Sequence, residues 1–147
     1  RGNASEILAL TGDDFHARGV DAQHSVAQAR AAALELARGH DVTVVVTGAE
    51  DFVTDGRREG QVSNGHELMG RITGSGCALT ALTGACRAVE QDSFVAALTA
   101  LVIFGIAGEM AAEAAAHPGS FQVALLDSLD MLDAGQLRRH ARYEIRQ

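Results

Sequence analysis

An α/β fold is predicted for this chain, and three stretches predict it. Asp41 to Thr47, D-V-T-V-V-V-T, is a continuous β-branched run of the kind buried on both faces in a parallel sheet. Val26, Ala29, Ala33, Leu36 and Ala37 recur at helical spacing before it, and Leu79, Leu82, Cys86 and Val89 after it. Arg71 to Thr80, R-I-T-G-S-G-C-A-L-T, joins the two patterns: Gly74 and Gly76 allow a tight turn directly ahead of the second helix. The first N–H groups of a helix lack internal partners and lie at its positive end, so such a turn suits phosphate, although many glycine turns do no more than start a helix. Cys77 stands at that same end, where the thiolate form is favoured.

The other elements follow in order. Ile7, Leu8 and Leu10 open a first helix, with Asn3 and Glu6 at capping-box spacing. A polar connection from Thr11 to Asp21 leads to Val20-Asp21-Ala22, a turn in which Asp21 caps the next helix, and Gly39 is its expected C-cap. His24 and His40 are expected on the surface. Ligands of open α/β sheets bind beyond the carboxyl ends of strands, which puts Thr47 and Gly48 at the ligand edge; a Thr-Gly that merely ends a strand is the alternative. Phe52 to Thr54 and Gln61 to Ser63 read as a hairpin around Asp55-Gly56, and Asn64-Gly65 as the next turn; Asp55 and His66 are expected to be structural.

A helix from Cys77 to about Val89 precedes one from Phe94 to Ala116, with Phe94, Leu98, Leu101, Val102, Phe104 and Gly105 buried. Pro118-Gly119 ends it, and Ser120 caps Phe121 to Met131 with Val123, Leu125, Leu126 and Leu129 as its apolar positions. Asp133 with Gln136 caps a last helix containing Leu137 and Ile145, and Arg138, Arg139, Arg142 and Arg146 form a solvated face.

Composition excludes several functions. At 147 residues and 47% hydrophobic content the chain can bury a core and is most simply one domain. A net charge of -7 without a basic cluster before the C-terminal tail argues against nucleic acid. All 12 basic residues are Arg, which rules out a Walker A lysine and Schiff-base chemistry. Phosphate would have to be met by backbone N–H groups, Arg and a metal ion. Cys77 and Cys86, nine residues apart on one helix, face opposite ways and cannot pair. No signal peptide or long uncharged apolar run is present, since Glu109 and Glu113 interrupt the Ala-rich stretch, so a cytoplasmic location is expected.

Four runs occur in a telling order: R-G-N-A-S-E at Arg1, V-T-G-A-E-D-F-V-T-D-G at Val46 to Gly56, N-G-H-E-L-M at Asn64 to Met69, and I-T-G-S-G-C at Ile72 to Cys77. Together they resemble the hydroxyethylthiazole kinases, ribokinase-like enzymes of thiamine salvage. Ser75 departs from the Thr of many members but keeps a small hydroxyl. The resemblance implies a three-layer α/β/α ribokinase-like fold, of which residues 1–147 would be the C-terminal part of a single kinase domain, its N-terminal portion absent.

It also implies a reaction: transfer of the ATP γ-phosphoryl group to the primary hydroxyl of 4-methyl-5-(2-hydroxyethyl)thiazole. By the same match Arg1 pairs the ATP phosphates, Thr47 contacts the nucleotide, and Glu6 orders Mg²⁺ through water, its capping role standing beside this one. Gly74, Ser75, Gly76 and Cys77 form the anion hole, Gly74 also touches the thiazole, and Cys77 accepts the hydroxyl proton. Sugar kinases of this superfold have an Asp there. A homotrimer with its sites between subunits is implied as well. The alternatives are a pyridoxal or hydroxymethylpyrimidine kinase, which the cysteine disfavours, a non-catalytic fragment needing its other half, and a ribokinase-like dehydratase of hydrated nicotinamide nucleotides, disfavoured by the thiol and N-A-S-E.

Overall fold

The computed structural model describes residues 1–11 and 26–147. The Val20-Asp21-Ala22 turn, the Asp21 cap and His24 lie outside the described residues. The fold is α/β with a mixed five-stranded sheet in the order β1-β2-β3-β4-β5. Its strands are β1 (Gly2–Asn3), β2 (Val44–Thr47), β3 (Asp51–Thr54), β4 (Glu59–Val62) and β5 (Tyr143–Arg146). The chain divides into two compact units, residues 1–61 with 144–147 and residues 62–143.

In the first unit, α1 (Ala4–Ala9) and α2 (Val26–His40) pack on the sheet. Ala29, Ala33 and Ala37 recur every four residues and are fully buried, so one face of α2 is nearly flat and lies close against Val44, Val46 and Phe52. β2 runs parallel to β1, Gly2 opposite Val46 and Asn3 opposite Thr47. It runs antiparallel to β3, with Val45 opposite Val53. The all-parallel environment expected for the β-branched run is therefore half correct: Val44, Val45 and Val46 are buried, but one neighbour is antiparallel. Helix α2 does not stop at Gly39. It continues through His40, and Asp41 takes the left-handed conformation at φ 52°, which a short polar side chain tolerates.

The hairpin forms around Asp55-Gly56 as predicted, but its second strand is Glu59–Val62, two residues earlier than the expected start at Gln61. Thr54, wholly buried, donates its hydroxyl to the Arg58 carbonyl at 2.8 Å and accepts from Gly56 N at 2.9 Å. Asp55 accepts from the backbone of Arg57 and Arg58 and pairs with the Arg58 guanidinium, which holds its carboxyl below the usual range despite the opposing effect of burial.

The second unit is helical. A short 3-10 turn, Glu67–Arg71, is capped by His66, whose Nδ1 accepts from Leu68 N, so His66 is structural as expected. Helices α3 (Ser75–Val89), α4 (Ser93–Ala114), α5 (Pro118–Met131) and α6 (Ala134–His140) follow. α4 is apolar all round and is the core of this unit: Phe94, Leu98, Leu101, Val102, Phe104 and Gly105 are all buried between α3 and α5. It is long and apolar enough to cross a membrane, yet 72% of its most apolar window is buried, as in a core helix.

Several boundaries differ from the sequence reading. α5 starts at Pro118 with His117 as N-cap, because Pro lacks an N–H that would go unbonded there; Ser120 instead donates to the His117 carbonyl. Val123 and Leu126 are exposed while Phe121 and Leu125 are buried. Val89 is exposed too: helical spacing keeps it on the Leu79–Cys86 stripe, but it is the last residue of α3. The capping box of Asp133 and Gln136 opens α6 as predicted, but the helix ends at His140, and Ile145 lies in β5, where Tyr and Ile suit an extended edge.

Arg142 does more than face solvent. It donates to both carboxylate oxygens of Glu109 and to the Ser63 carbonyl, while buried Asn64 accepts from Arg142 N at 2.7 Å and donates to the His140 carbonyl at 2.9 Å. Glu109 also accepts from Gly65 N at 2.7 Å, which gives this carboxylate of a mainly apolar helix its partners. Gly105 lets this clasp form: a Cβ there would come within 2.8 Å of the Asn64 carbonyl carbon and oxygen. Gly105→Ala is expected to lower stability by about 1–3 kcal/mol through overpacking, since backbone cannot yield as a side chain does. A urea midpoint that moves down with an unchanged slope would bear this out.

Candidate functional site

Two groups of residues matter, one in each unit. In the first, the parallel pairing of β1 and β2 puts both carboxyl ends at one edge, with Asn3 directly opposite Thr47. The pairing brings together two residues selected from opposite ends of a long separation: the Arg1 Nη1 donates to Thr47 Oγ1 at 3.4 Å. The Thr47 hydroxyl donates in turn to the Gly2 carbonyl at 3.3 Å. Arg1 is exposed and presents an always-charged planar donor at this edge.

Glu6 belongs to the same edge through the cap of α1. Asn3 Oδ1 accepts from Glu6 N at 2.9 Å, and Glu6 Oε2 accepts from Asn3 N at 2.7 Å, a complete capping box. The cap engages one carboxylate oxygen, and Glu6 is exposed, so capping and holding a hydrated ion are compatible in one side chain. A Mg²⁺ ion fits this donor set through water. Among the described residues no cluster of three or more His, Cys, Asp or Glu converges, so the remaining ligands would be water and nucleotide oxygens, as Mg²⁺ commonly has.

Asp51 was not singled out from the sequence. It opens β3, and its Oδ1 accepts from Gly48 N at 3.0 Å, across the short connection that leaves Thr47. Burial pushes its carboxyl up to about 6, against the Gly48 N–H bond and the Arg1 charge, which both favour the ionised form. The D-F that starts a strand in the run after Thr-Gly was the available signal: an acid at the first position of a strand whose next residues are all buried.

The second group is the glycine turn. Gly74 has φ 87° and ψ -2°, a left-handed conformation, and is the N-cap of α3. Without a side chain it makes no capping bond, so the first-turn donors of Ser75, Gly76 and Cys77 are not covered from that position, unlike those of α1, α4 and α6, which Asn3, Asp92 and Asp133 cap. The first helical bond runs from Ala78 N to the Gly74 carbonyl at 2.9 Å. Gly74 is exposed, and a Cβ there would meet nothing within 4 Å, so the turn is open to a ligand. Cys77 is an exposed free thiol on this first turn. Cys86, further along and partly buried, has its pKa raised by burial, which keeps it an inert thiol.

A sequence model of the hydroxyethylthiazole kinase family matches residues 1–135. The chain belongs to that family. It is 51% identical over 142 residues to the hydroxyethylthiazole kinase of Desulfotalea psychrophila, covering 97% of this chain and 52% of that protein. It is 53% identical over 143 residues to the one from Granulibacter bethesdensis, again covering 97% of this chain and 52% of the relative. The solved structure of hydroxyethylthiazole kinase from Pyrococcus horikoshii superposes with a TM-score of 0.78 at 46% identity, over 82% of this chain and 47% of that one. The chain thus spans about half the length of the curated relatives it matches.

The raised Asp51 carboxyl gives a stability test. A folded state that binds the proton more tightly than the unfolded chain gains most below the unfolded carboxyl range near pH 4, and loses that gain as the pH rises through about 6. Asp51→Asn, which cannot ionise, is therefore expected to raise the melting temperature more at about pH 7.5 than at about pH 4. Circular dichroism melts at the two pH values check this; equal changes would contradict it.

Proposed function

We propose that the protein transfers the ATP γ-phosphoryl group to the primary hydroxyl of 4-methyl-5-(2-hydroxyethyl)thiazole, the reaction for which its relatives are named. The observation that carries the reading is the glycine turn: a left-handed Gly74 opening α3, without a side-chain cap, with an exposed Cys77 in the first turn. Phosphoryl transfer needs little covalent help from a protein. It needs reactants in line and donors aimed at the charge spreading over the equatorial oxygens. The N–H groups of Gly74, Ser75, Gly76 and Cys77 supply such donors at the positive end of α3, equivalent to about half a unit charge. Gly74 also lies against the thiazole, where the lack of a side chain permits close approach.

In the first unit Arg1 holds the ATP phosphates and Thr47 contacts the nucleotide, the pair already joined by a hydrogen bond. Glu6 would hold Mg²⁺ through water, and the ion, when bound, neutralises phosphate charge. As the substrate hydroxyl attacks phosphorus, its proton passes to Cys77, the bond to ADP breaks, and the alcohol leaves as its phosphate ester. No phosphocysteine is needed, since in-line transfer to an alcohol is a single displacement. The reading includes a cytoplasmic homotrimer in which residues 1–147 are part of one kinase domain.

The direct test is incubation of the intact protein with the thiazole alcohol, ATP and Mg²⁺, followed by mass spectrometry for the phosphate ester and ADP. Absence of the ester from a protein that binds ATP would overturn the reading.

Two substitutions test its parts. A general base contributes about 10²- to 10⁴-fold, so Cys77→Ala should lower kcat within that range with little change in the KM for ATP. Cys77→Asp should retain activity, because a carboxylate is ionised at neutral pH. A fully active Ala variant beside an inactive, folded Asp variant would make Cys77 a packing residue only. Glu6→Gln keeps the capping box, since Gln also serves at that position, and stability should change by less than about 0.5 kcal/mol. The same variant should need more Mg²⁺ and turn over more slowly; an unchanged Mg²⁺ titration would remove the metal role from Glu6.

A further inference from the structure

The turn that carries Thr47 away from β2 is short, and one side chain spans it. Gly48, the residue directly after Thr47, is exposed, and its N–H is held at 3.0 Å by Asp51 Oδ1. Thr47 is fixed from the opposite side, donating to the Gly2 carbonyl at 3.3 Å and accepting from Arg1 at 3.4 Å. Asp51 is partly buried while the residues between it and Gly48, Ala49 and Glu50, are exposed. Glu50 is tied to Gln61 Nε2 at 2.7 Å, while Asp51 holds the Gly48 end of the turn with a carboxylate whose charge interacts with Arg1, the same cation that touches Thr47. A carboxylate placed only to close a turn would be as well served by full exposure. This one accepts a partly buried position at the start of a strand whose following residues, Phe52, Val53 and Thr54, are fixed in the core.

We propose that Asp51 is a positioning residue for nucleotide: by accepting from Gly48 N it sets the backbone after Thr47, and so the direction of the Thr47 hydroxyl and the Arg1 guanidinium that bonds to it. The proposal rests on the reading that Arg1 and Thr47 meet ATP, and it adds the residue that aims them. It requires an acceptor at position 51, not a charge. Its signature is therefore a loss of ATP affinity when the acceptor is removed, retention when the acceptor remains without its charge, and no effect on the alcohol substrate.

The experiment uses the intact protein and reads Mg·ATP binding directly by equilibrium dialysis, beside steady-state kinetics. Asp51→Ala should weaken ATP binding up to about tenfold, the scale of one lost hydrogen bond, and raise the KM for ATP while leaving that for the thiazole alcohol unchanged. Asp51→Asn keeps an oxygen at the Oδ1 position and should bind ATP within about twofold of the parent. Because Asp51 acts through Thr47, adding Asp51→Ala to Thr47→Ala should cost less than about twofold further. Unchanged ATP binding in Asp51→Ala overturns the proposal, as does full additivity with Thr47→Ala. A tenfold loss in Asp51→Asn overturns it too, and that variant decides the matter if Asp51→Ala does not fold. A parent protein that binds ATP but makes no phosphate ester refutes the proposed function and leaves the Asp51 comparison intact; a parent that binds no ATP overturns both.

Discussion

The parallel pairing of two residues of β1 with the end of β2 is the constraint on which the Arg1–Thr47 edge depends. Parallel strands bring their carboxyl ends to the same side, and the register Asn3 to Thr47 fixes which residues arrive there. From it follow the Arg1–Thr47 bond, the start of α1 immediately above, and the position of Glu6 through the capping box. The buried alanine face of α2 and the valines of β2 hold that register, because a slip by one residue would turn Val44 and Val46 to the opposite face. Packing in the first unit thus translates directly into where charged groups stand.

The second unit solves a different problem. Helix ends must satisfy their N–H groups, and α1, α4 and α6 do so internally with Asn3, Asp92 and Asp133. α3 does not, since its N-cap is a glycine in a conformation that most side chains disfavour. Leaving donors open costs stability unless water or a ligand meets them, and that cost is reasonable where an anion is handled. The buried, all-round apolar α4 is the core of the unit, so the open donors of α3 lie at a helix end and not in the core.

Much of this was readable from residues alone. The β-branched run, the hairpin around Asp55-Gly56, the glycine turn and the capping pairs are local chemistry, and each formed where its residues indicated. What was not readable depended on long-range neighbours. Tyr143 and Ile145 favour an extended chain only weakly, and it is β4 alongside that makes the segment a strand. The antiparallel partner of β2 is decided by the tight turn at Gly48, not by the valines. Asp51 was missed because a carboxylate in the acidic pair Glu50-Asp51 looks solvated in sequence, and only the fold shows it turned to Gly48. Arg142 looked like surface charge for the same reason: its partner Glu109 is 33 residues away.

One consequence of the Arg1–Thr47 contact concerns alkaline conditions. Phosphate sites built around an ammonium begin to lose their positive charge as the pH approaches about 10, the range in which lysine titrates. A guanidinium does not give up its proton in that range, and this chain has no lysine at all. The cation joined to Thr47 is such a guanidinium, and its planar fork fixes two directions for oxygen atoms. A guanidinium at this edge therefore offers an oxygen atom a fixed direction as well as a charge.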